Sequence, residues 1–184
     1  MPMLRLHKPI KLPENVLRKI ERAGRRFQIK ITEKAAERGL VRLTFNIFGR
    51  KIRINLAELN KKARDYYAKM KTAEFDLKEA YANLAGFLSL LPQERGIVRL
   101  EGENLRKWAK LQKKFHSAEI KFYSFELKFL KELSEHVANK LSALHPEEIV
   151  QLANLLSVFA AVIKDVTEKL KIAREGYDSV KKMV

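Results

Sequence analysis

The spacing of apolar residues changes near residue 57 and divides the chain into two segments. In the first segment, apolar and polar residues alternate one by one in three stretches, as they do in half-buried β-strands. In the second, apolar residues recur at intervals of three and four, which is the spacing of one face of a helix. The alternating stretches are 27–31, 40–48 and 51–56. We therefore predict a small α/β segment over residues 1–56 and a helical segment over residues 57–184.

The α/β segment is predicted to contain a short helix and a β-hairpin. The helix covers residues 13–24, where a proline suits the first turn and a glycine suits the C-terminal cap. The hairpin pairs strands 40–48 and 51–56. Its turn is predicted at Gly49-Arg50, because glycine at the first of two loop positions is the requirement of a type II′ turn. The alternation gives this hairpin one apolar face and one polar face.

Three long helices are predicted in the second segment, over residues 57–91, 103–144 and 146–183. The first carries ten apolar residues in one unbroken heptad register, and Pro92 ends it. The second carries two adjacent apolar seams and therefore needs two partners. Short links make neighbouring helices antiparallel, and a strict heptad repeat is typical of a left-handed coiled coil. The predicted fold is mainly α: an antiparallel bundle of three long coiled-coil helices, shaped as a rod, with a small basic α/β cap at one end.

Charge is the strongest indication of function. The 184 residues carry a formal net charge of +16, and the sequence pI is about 10.0. Residues 1–56 hold 15 Lys and Arg against 4 Asp and Glu, whereas residues 57–184 hold 23 against 18. An excess of this size disfavours compaction unless an anionic partner offsets it. The first segment is therefore predicted to bind a polyanion.

Cationic residues in two groups are candidates for phosphate contacts. Those of the hairpin lie on its predicted polar face or in its turn, and arginine there can pair with phosphates or with guanine edges. The others belong to the predicted short helix, the residues after it and the first strand. The candidates are Arg42, Arg50, Lys51 and Arg53 in the hairpin, and Arg18, Lys19, Arg22, Arg25, Arg26 and Lys30 before it.

The sequence offers no convincing catalytic, metal or cofactor site. Cysteine is absent, which excludes thiolate metal ligands and thiol nucleophiles, and the seven glycines never form a phosphate-binding loop. His136 with Glu132 allows an acid-base role, but a surface histidine bonded to a neighbouring glutamate is favoured because no nucleophile accompanies it. We therefore predict a protein that is not an enzyme and that needs no metal ion or cofactor.

The chain is predicted to be cytoplasmic and to have no transmembrane segment. Residues 1–12 contain basic residues and two prolines, which is not the pattern of a signal peptide. The longest apolar run, 152–163, is shorter than a bilayer requires. Glutamate outnumbers aspartate, and lysine and arginine are abundant, a composition that fits a thermophile.

The leading interpretation is an architectural or complex-forming nucleic-acid-binding protein, with DNA as the expected partner and its form left open. The cap would contact the phosphate backbone, and the helical rod would mediate self-association or dock a partner. The alternative is a non-enzymatic scaffold or adaptor subunit of a larger assembly that does not itself bind nucleic acid. An aromatic row in the second helix has the heptad spacing of a core rather than of a base-stacking surface. Its members are Trp108, Phe115, Phe122 and Phe129.

Overall fold

The described part of the protein is mainly helical, with three long helices and two small antiparallel hairpins. A computed structural model describes residues 41–47, 50–140 and 146–183. The predicted helix 13–24, the predicted strand 27–31 and the turn of the first hairpin lie outside the described residues. The helical class and the β-hairpin predicted from the apolar pattern are confirmed.

The described elements are β1 Arg42–Ile47, β2 Arg50–Asn55, a 3-10 turn Leu56–Glu58, α1 Lys61–Ser89, β3 Gln93–Glu94, β4 Ile97–Val98, α2 Gly102–Lys140 and α3 Pro146–Lys181. The three helices have 29, 39 and 36 residues. At 1.5 Å per residue they are roughly 44 to 58 Å long. The predicted end of the second helix at residue 144 lies outside the described part of the chain.

The register of the first hairpin differs by one residue from the predicted turn. Ile47 pairs with Arg50, and Asn46 pairs with Lys51. Arg50 is therefore a strand residue and not the second residue of the turn. The predicted turn would have placed Phe48 opposite Lys51, so that apolar and basic side chains shared one face. From Arg42 to Asn46 the observed register keeps polar residues opposite polar residues, as a sheet with one buried face requires, and the pair of Ile47 and Arg50 beside the turn is the exception.

Helix α1 begins at Lys61, later than the predicted start at residue 57, because Asn60 caps it. The Asn60 side chain accepts a hydrogen bond of 2.8 Å from the backbone N–H of Ala63, which satisfies one of the free donors of the first turn. The chain before the cap makes the 3-10 turn instead, although Leu59 is still buried.

Helix α2 lies between the other two and packs along both, while α1 and α3 hardly contact each other. The rings of Tyr67 and Phe129 lie 5.2 Å apart, and those of Tyr81 and Phe115 lie 6.0 Å apart. Residues later in α1 thus contact residues earlier in α2, and the two helices are antiparallel. The central position of α2 accounts for its two apolar seams.

The first hairpin is anchored on the three helices through one hydrophobic cluster. The ring of Phe45 in β1 packs edge to face on Phe159 of α3, with 5.2 Å between ring centroids. The cluster takes buried residues from every neighbouring element: Ile54, Leu56, Leu59, Ala63, Tyr67, Phe129, Leu133, Val137, Leu155 and Phe159. These residues come from both sides of position 57. The division of the chain into two domains at that position stays a prediction.

The second hairpin joins α1 to α2 through a two-residue turn. Arg95 and Gly96 both have positive φ, 52° and 77°. Positive φ at both positions is the requirement of a type I′ turn, whose twist matches that of the flanking strands. Its two strands are Gln93–Glu94 and Ile97–Val98.

Helices α2 and α3 approach each other closely where His116 meets Gly176. Gln112 donates to the imidazole Nε2 over 3.2 Å, and the Nδ1–H of His116 donates to the Glu119 carboxylate over 2.8 Å. These two bonds hold the ring in one orientation. A Cβ atom added at Gly176 would lie 2.7 Å from ring atoms of His116, closer than side chains tolerate.

Gly176→Ala is expected to destabilise the protein by about 1 to 3 kcal/mol, because the clash with the held ring exceeds the gain in helix propensity. Gly86→Ala in α1 is the matched control, since nothing lies within 4 Å of its added Cβ. That variant should gain about 0.5 to 1 kcal/mol. Urea unfolding of both variants measures the difference. Equal stabilisation by the two substitutions would contradict the close packing of His116 on α3.

Candidate nucleic-acid interface

The first hairpin turns a basic face away from the core. Four apolar side chains of β1 and β2 pack towards the helices, those of Leu43, Phe45, Ile52 and Ile54, and the described polar side chains next to them on the strands are exposed. We call the exposed set the hairpin face. Its described members are Arg42, Thr44, Lys51, Arg53 and Asn55.

The hairpin face carries positive charge that its own strands do not neutralise. The sequence has no acidic residue from Val41 to Ala57. Arg42 donates from Nε to the Asn55 side-chain oxygen over 3.1 Å, which fixes the arginine across the two strands. Lys51 and Arg53 are two residues apart on one strand, about 7 Å along it. The face therefore offers fixed and closely spaced cations.

The first acidic residue after the hairpin is engaged elsewhere. Glu58 accepts a hydrogen bond of 2.7 Å from Lys140 at the end of α2. That bond holds the pKa of Glu58 below its usual value, against a smaller opposite effect of burial. The Glu58 charge therefore serves to join the 3-10 turn to α2.

The structure places only part of the predicted site. Arg42, Arg50, Lys51 and Arg53 all lie on the strands of the first hairpin. The remaining candidates, Arg18, Lys19, Arg22, Arg25, Arg26 and Lys30, fall outside the described residues. Their contribution to a shared basic surface stays a prediction.

Sequence reasoning missed a second basic feature, a row of exposed lysines on α2. Each lysine directly precedes one residue of the predicted aromatic row, so the two sets share one heptad spacing. The signal was present in the sequence. It was hidden because the helical segment as a whole has a modest net charge. The members are Lys107, Lys114, Lys121 and Lys128.

His136 does not form the acid-base pair that the sequence allowed. Glu132 is bonded instead by Lys62 over 2.7 Å and by Asn60 over 3.5 Å. The Nε2 atom of His136 is buried without a hydrogen-bond partner. Burial lowers the pKa of His136, Lys140 lowers it further, and Glu58 opposes them. The imidazole is therefore held neutral beside the ion pair of Glu58 and Lys140.

The rest of the described chain offers little further chemistry. Within residues 41–47, 50–140 and 146–183, no three His, Asp or Glu side chains are grouped to hold a metal ion. Helix α3 is long and apolar enough over Glu148–Lys181 to cross a membrane by length and composition, a test that core helices of soluble proteins also pass. No protein-family model, curated protein or solved structure matches the chain. Function is therefore argued from charge and geometry.

The depressed pKa of His136 predicts a pH-dependent stability. Because the unfolded chain takes up this proton more readily than the folded one, stability should fall as pH drops from about 7.5 to 5.5, by at most about 1.4 kcal/mol per pH unit. His136→Gln should flatten this dependence. Chemical unfolding of both proteins at several pH values provides the measurement.

Among the described residues, the carboxyl groups with shifted pKa values do not mimic this effect. Glu58 and Glu132 have pKa values lowered below 4.5 and lose their contributions only at lower pH. Burial raises the pKa of Glu126, so its protonation would change stability in the opposite direction. Identical slopes for the wild type and His136→Gln would show that His136 is not held neutral.

Proposed function

We propose that the protein binds nucleic acid, DNA first, through the phosphate backbone and with the hairpin face as a principal contact surface. The observation that carries this proposal is a cationic ribbon without acidic residues, anchored by its opposite face to the core of three helices. A surface held in this way loses little conformational freedom when it binds.

The chemistry of the hairpin face suits phosphates. Arginine presents a planar fork of donors that matches phosphate oxygens, and lysine acts as a point charge. A two-stranded ribbon also fits the major groove of B-DNA, about 12 Å wide. Phosphate contacts position a protein without reading sequence, so an architectural role fits better than a sequence-specific one.

The residues before the hairpin would extend the same surface. Residues 1–56 have a net charge of +11, with 15 cations against 4 anions. Arg18, Lys19, Arg22, Arg25, Arg26 and Lys30 are proposed as additional phosphate contacts. The partner would then offset the repulsion among these charges.

The helices are proposed to act as a coiled-coil rod for self-association or partner docking, in a cytoplasmic protein that is not an enzyme. The heptad pattern of all three helices supports left-handed packing at crossing angles near +20°. Sedimentation equilibrium would decide the oligomeric state.

One observation favours the alternative function, a scaffold subunit of a larger assembly. From Ile149 to Ile163, α3 carries no charged residue. Within this stretch Val150 is 61% exposed and Val158 is 44% exposed. An uncharged exposed helix surface of this kind is typical of protein interaction sites. Copurification of a stable protein partner, without affinity for nucleic acid, would support this function.

Neutralising the hairpin face is expected to weaken binding. The variant is Arg42→Gln, Lys51→Gln and Arg53→Gln, measured by fluorescence anisotropy with labelled duplex and single-stranded DNA and RNA over a salt series. On duplex DNA, each cation that no longer neutralises a phosphate lowers the slope of log K against log salt by about 0.9, so three such cations give about 2.7.

The control removes the same charge from α3 and the turn that follows it, through Lys164→Gln, Lys171→Gln and Lys182→Gln, all at exposed positions. It should bind nearly as the wild type does. If both variants lost affinity equally, the loss would come from net charge alone, and the hairpin face would not be a principal contact surface. A wild type that binds none of the four probes at low salt would refute the proposed function.

A further inference from the structure

One side of α2 carries a dense run of positive charge. Between Glu103 and Glu132 this helix has eight cationic residues and two acidic ones. Lys113 is half-buried and its ammonium lies over the ring of Tyr177, whereas the other seven cations are exposed. The exposed ones are Arg106, Lys107, Lys110, Lys114, Lys121, Lys128 and Lys131.

The two acidic residues of this stretch face α3. Glu119 accepts the hydrogen bond of His116, whose ring packs on Gly176 of α3. Glu126 is half-buried and interacts with Lys169 and Asp165 of α3. Positive and negative charges of α2 are thus segregated, and the acids do not neutralise the exposed lysines.

The lysines at heptad spacing form a row along one side of the helix, which turns by about 20° around the helix axis with each heptad. We call Lys107, Lys114, Lys121 and Lys128 the lysine row. Seven residues advance an α-helix by about 10.5 Å, so the row extends for about 32 Å. Lys128 directly precedes Phe129 of the cluster that anchors the first hairpin. The row therefore begins at the level of that cluster and runs away from it along α2.

Neighbouring acids neutralise the lysine row only weakly. Lys107 lies 3.5 Å from Glu103, and Lys121 lies 3.9 Å from Asp76 of α1. Both lysines keep more than half of their side-chain surface exposed, 60% and 57%. Such exposed ion pairs contribute little to stability because solvent screens them. The Lys128 ammonium instead lies over the rings of Tyr66 and Phe125, at 5.7 and 5.6 Å.

The lysines also repel one another along the helix. The spacings are three and four residues among Lys107, Lys110 and Lys114, and three residues between Lys128 and Lys131. Like charges at these intervals destabilise a helix. A bound polyanion would remove this repulsion.

We propose that the lysine row is a second phosphate-binding surface, along which a nucleic-acid backbone lies while the hairpin face holds it at one end. This inference rests on the proposed function and deepens it. The length of the row is close to one turn of duplex DNA, about 34 Å. Lysine, as a hydrated point charge, suits backbone contacts without sequence readout.

A membrane surface fits the lysine row less well than a nucleic acid does. Residues 106–131 are described throughout, and none of the strongly exposed large apolar side chains falls among them. Interfacial helices insert such side chains between lipids. Serines at 117 and 124 lie between the lysines instead.

The test neutralises the row with Lys107→Gln, Lys114→Gln, Lys121→Gln and Lys128→Gln in the full chain. The matched control is Lys78→Gln, Lys164→Gln, Lys171→Gln and Lys182→Gln, which removes the same charge from exposed positions of the other helices and the end of α3. Anisotropy with a labelled 24-base-pair duplex and a 24-nucleotide single strand is measured over a salt series. Circular dichroism and thermal unfolding check that both variants fold.

For the duplex, the row variant should lower the salt slope by up to about 3.6, because four lysines no longer neutralise phosphates, and the control should lower it far less. A row variant that binds like the wild type, or is weakened no more than the control, would overturn the inference while leaving the hairpin assignment intact. Absence of binding by the wild type would refute the proposed function and the inference together. Row-dependent binding to phosphatidylserine vesicles, without binding to either nucleic acid, would also overturn it.

Discussion

Phe159 of α3 packs edge to face against Phe45 of β1, in a cluster that also contains Leu56, Leu133 and Leu155. A two-stranded hairpin is at best marginally stable in water by itself, so this burial is what gives the first hairpin its fixed position. Truncating a buried phenylalanine of this kind costs about 3 to 5 kcal/mol. Because one face of the hairpin is held in the cluster, its basic face must point to solvent. The candidate interface is thus a consequence of core packing.

In helix α2, too, core packing decides which side chains face solvent. Its apolar seams are covered by α1 and α3, and the two acids between Glu103 and Glu132, Glu119 and Glu126, are directed at α3. The remaining side has no covering helix among the described residues and carries lysines. Between Glu103 and Glu132, charge is therefore segregated around the helix. Residues 57–184 hold 23 cations against 18 anions, so their net charge is modest. This total does not show that cations and anions of α2 lie on different sides of the helix.

In helix α3 the two halves along the chain differ in charge, whereas in α2 two sides of the helix differ. From Ile149 to Ile163 it is uncharged and partly exposed, whereas from Lys164 onward it carries both basic and acidic residues. The uncharged half lies at the end of the molecule where the first hairpin is anchored, since Leu155 and Phe159 belong to the shared cluster. Docking of a protein at this half and of nucleic acid on the basic surfaces would use different parts of the molecule.

Periodicity in the sequence determined the three helices, their apolar faces and the hairpin, because these depend on residues close together in the chain. Repeats of two and of 3.6 residues follow from backbone geometry alone. The start of α1 at Lys61 depends on the local cap made by Asn60, but the hairpin register and the burial of Leu155 were decided by the tertiary structure. So was the segregation of charge on α2, because only the position of α3 distinguishes Glu119 from Lys121. The number of charged residues can be read from the sequence. Which of them share a surface depends on how residues far apart in the chain are brought together.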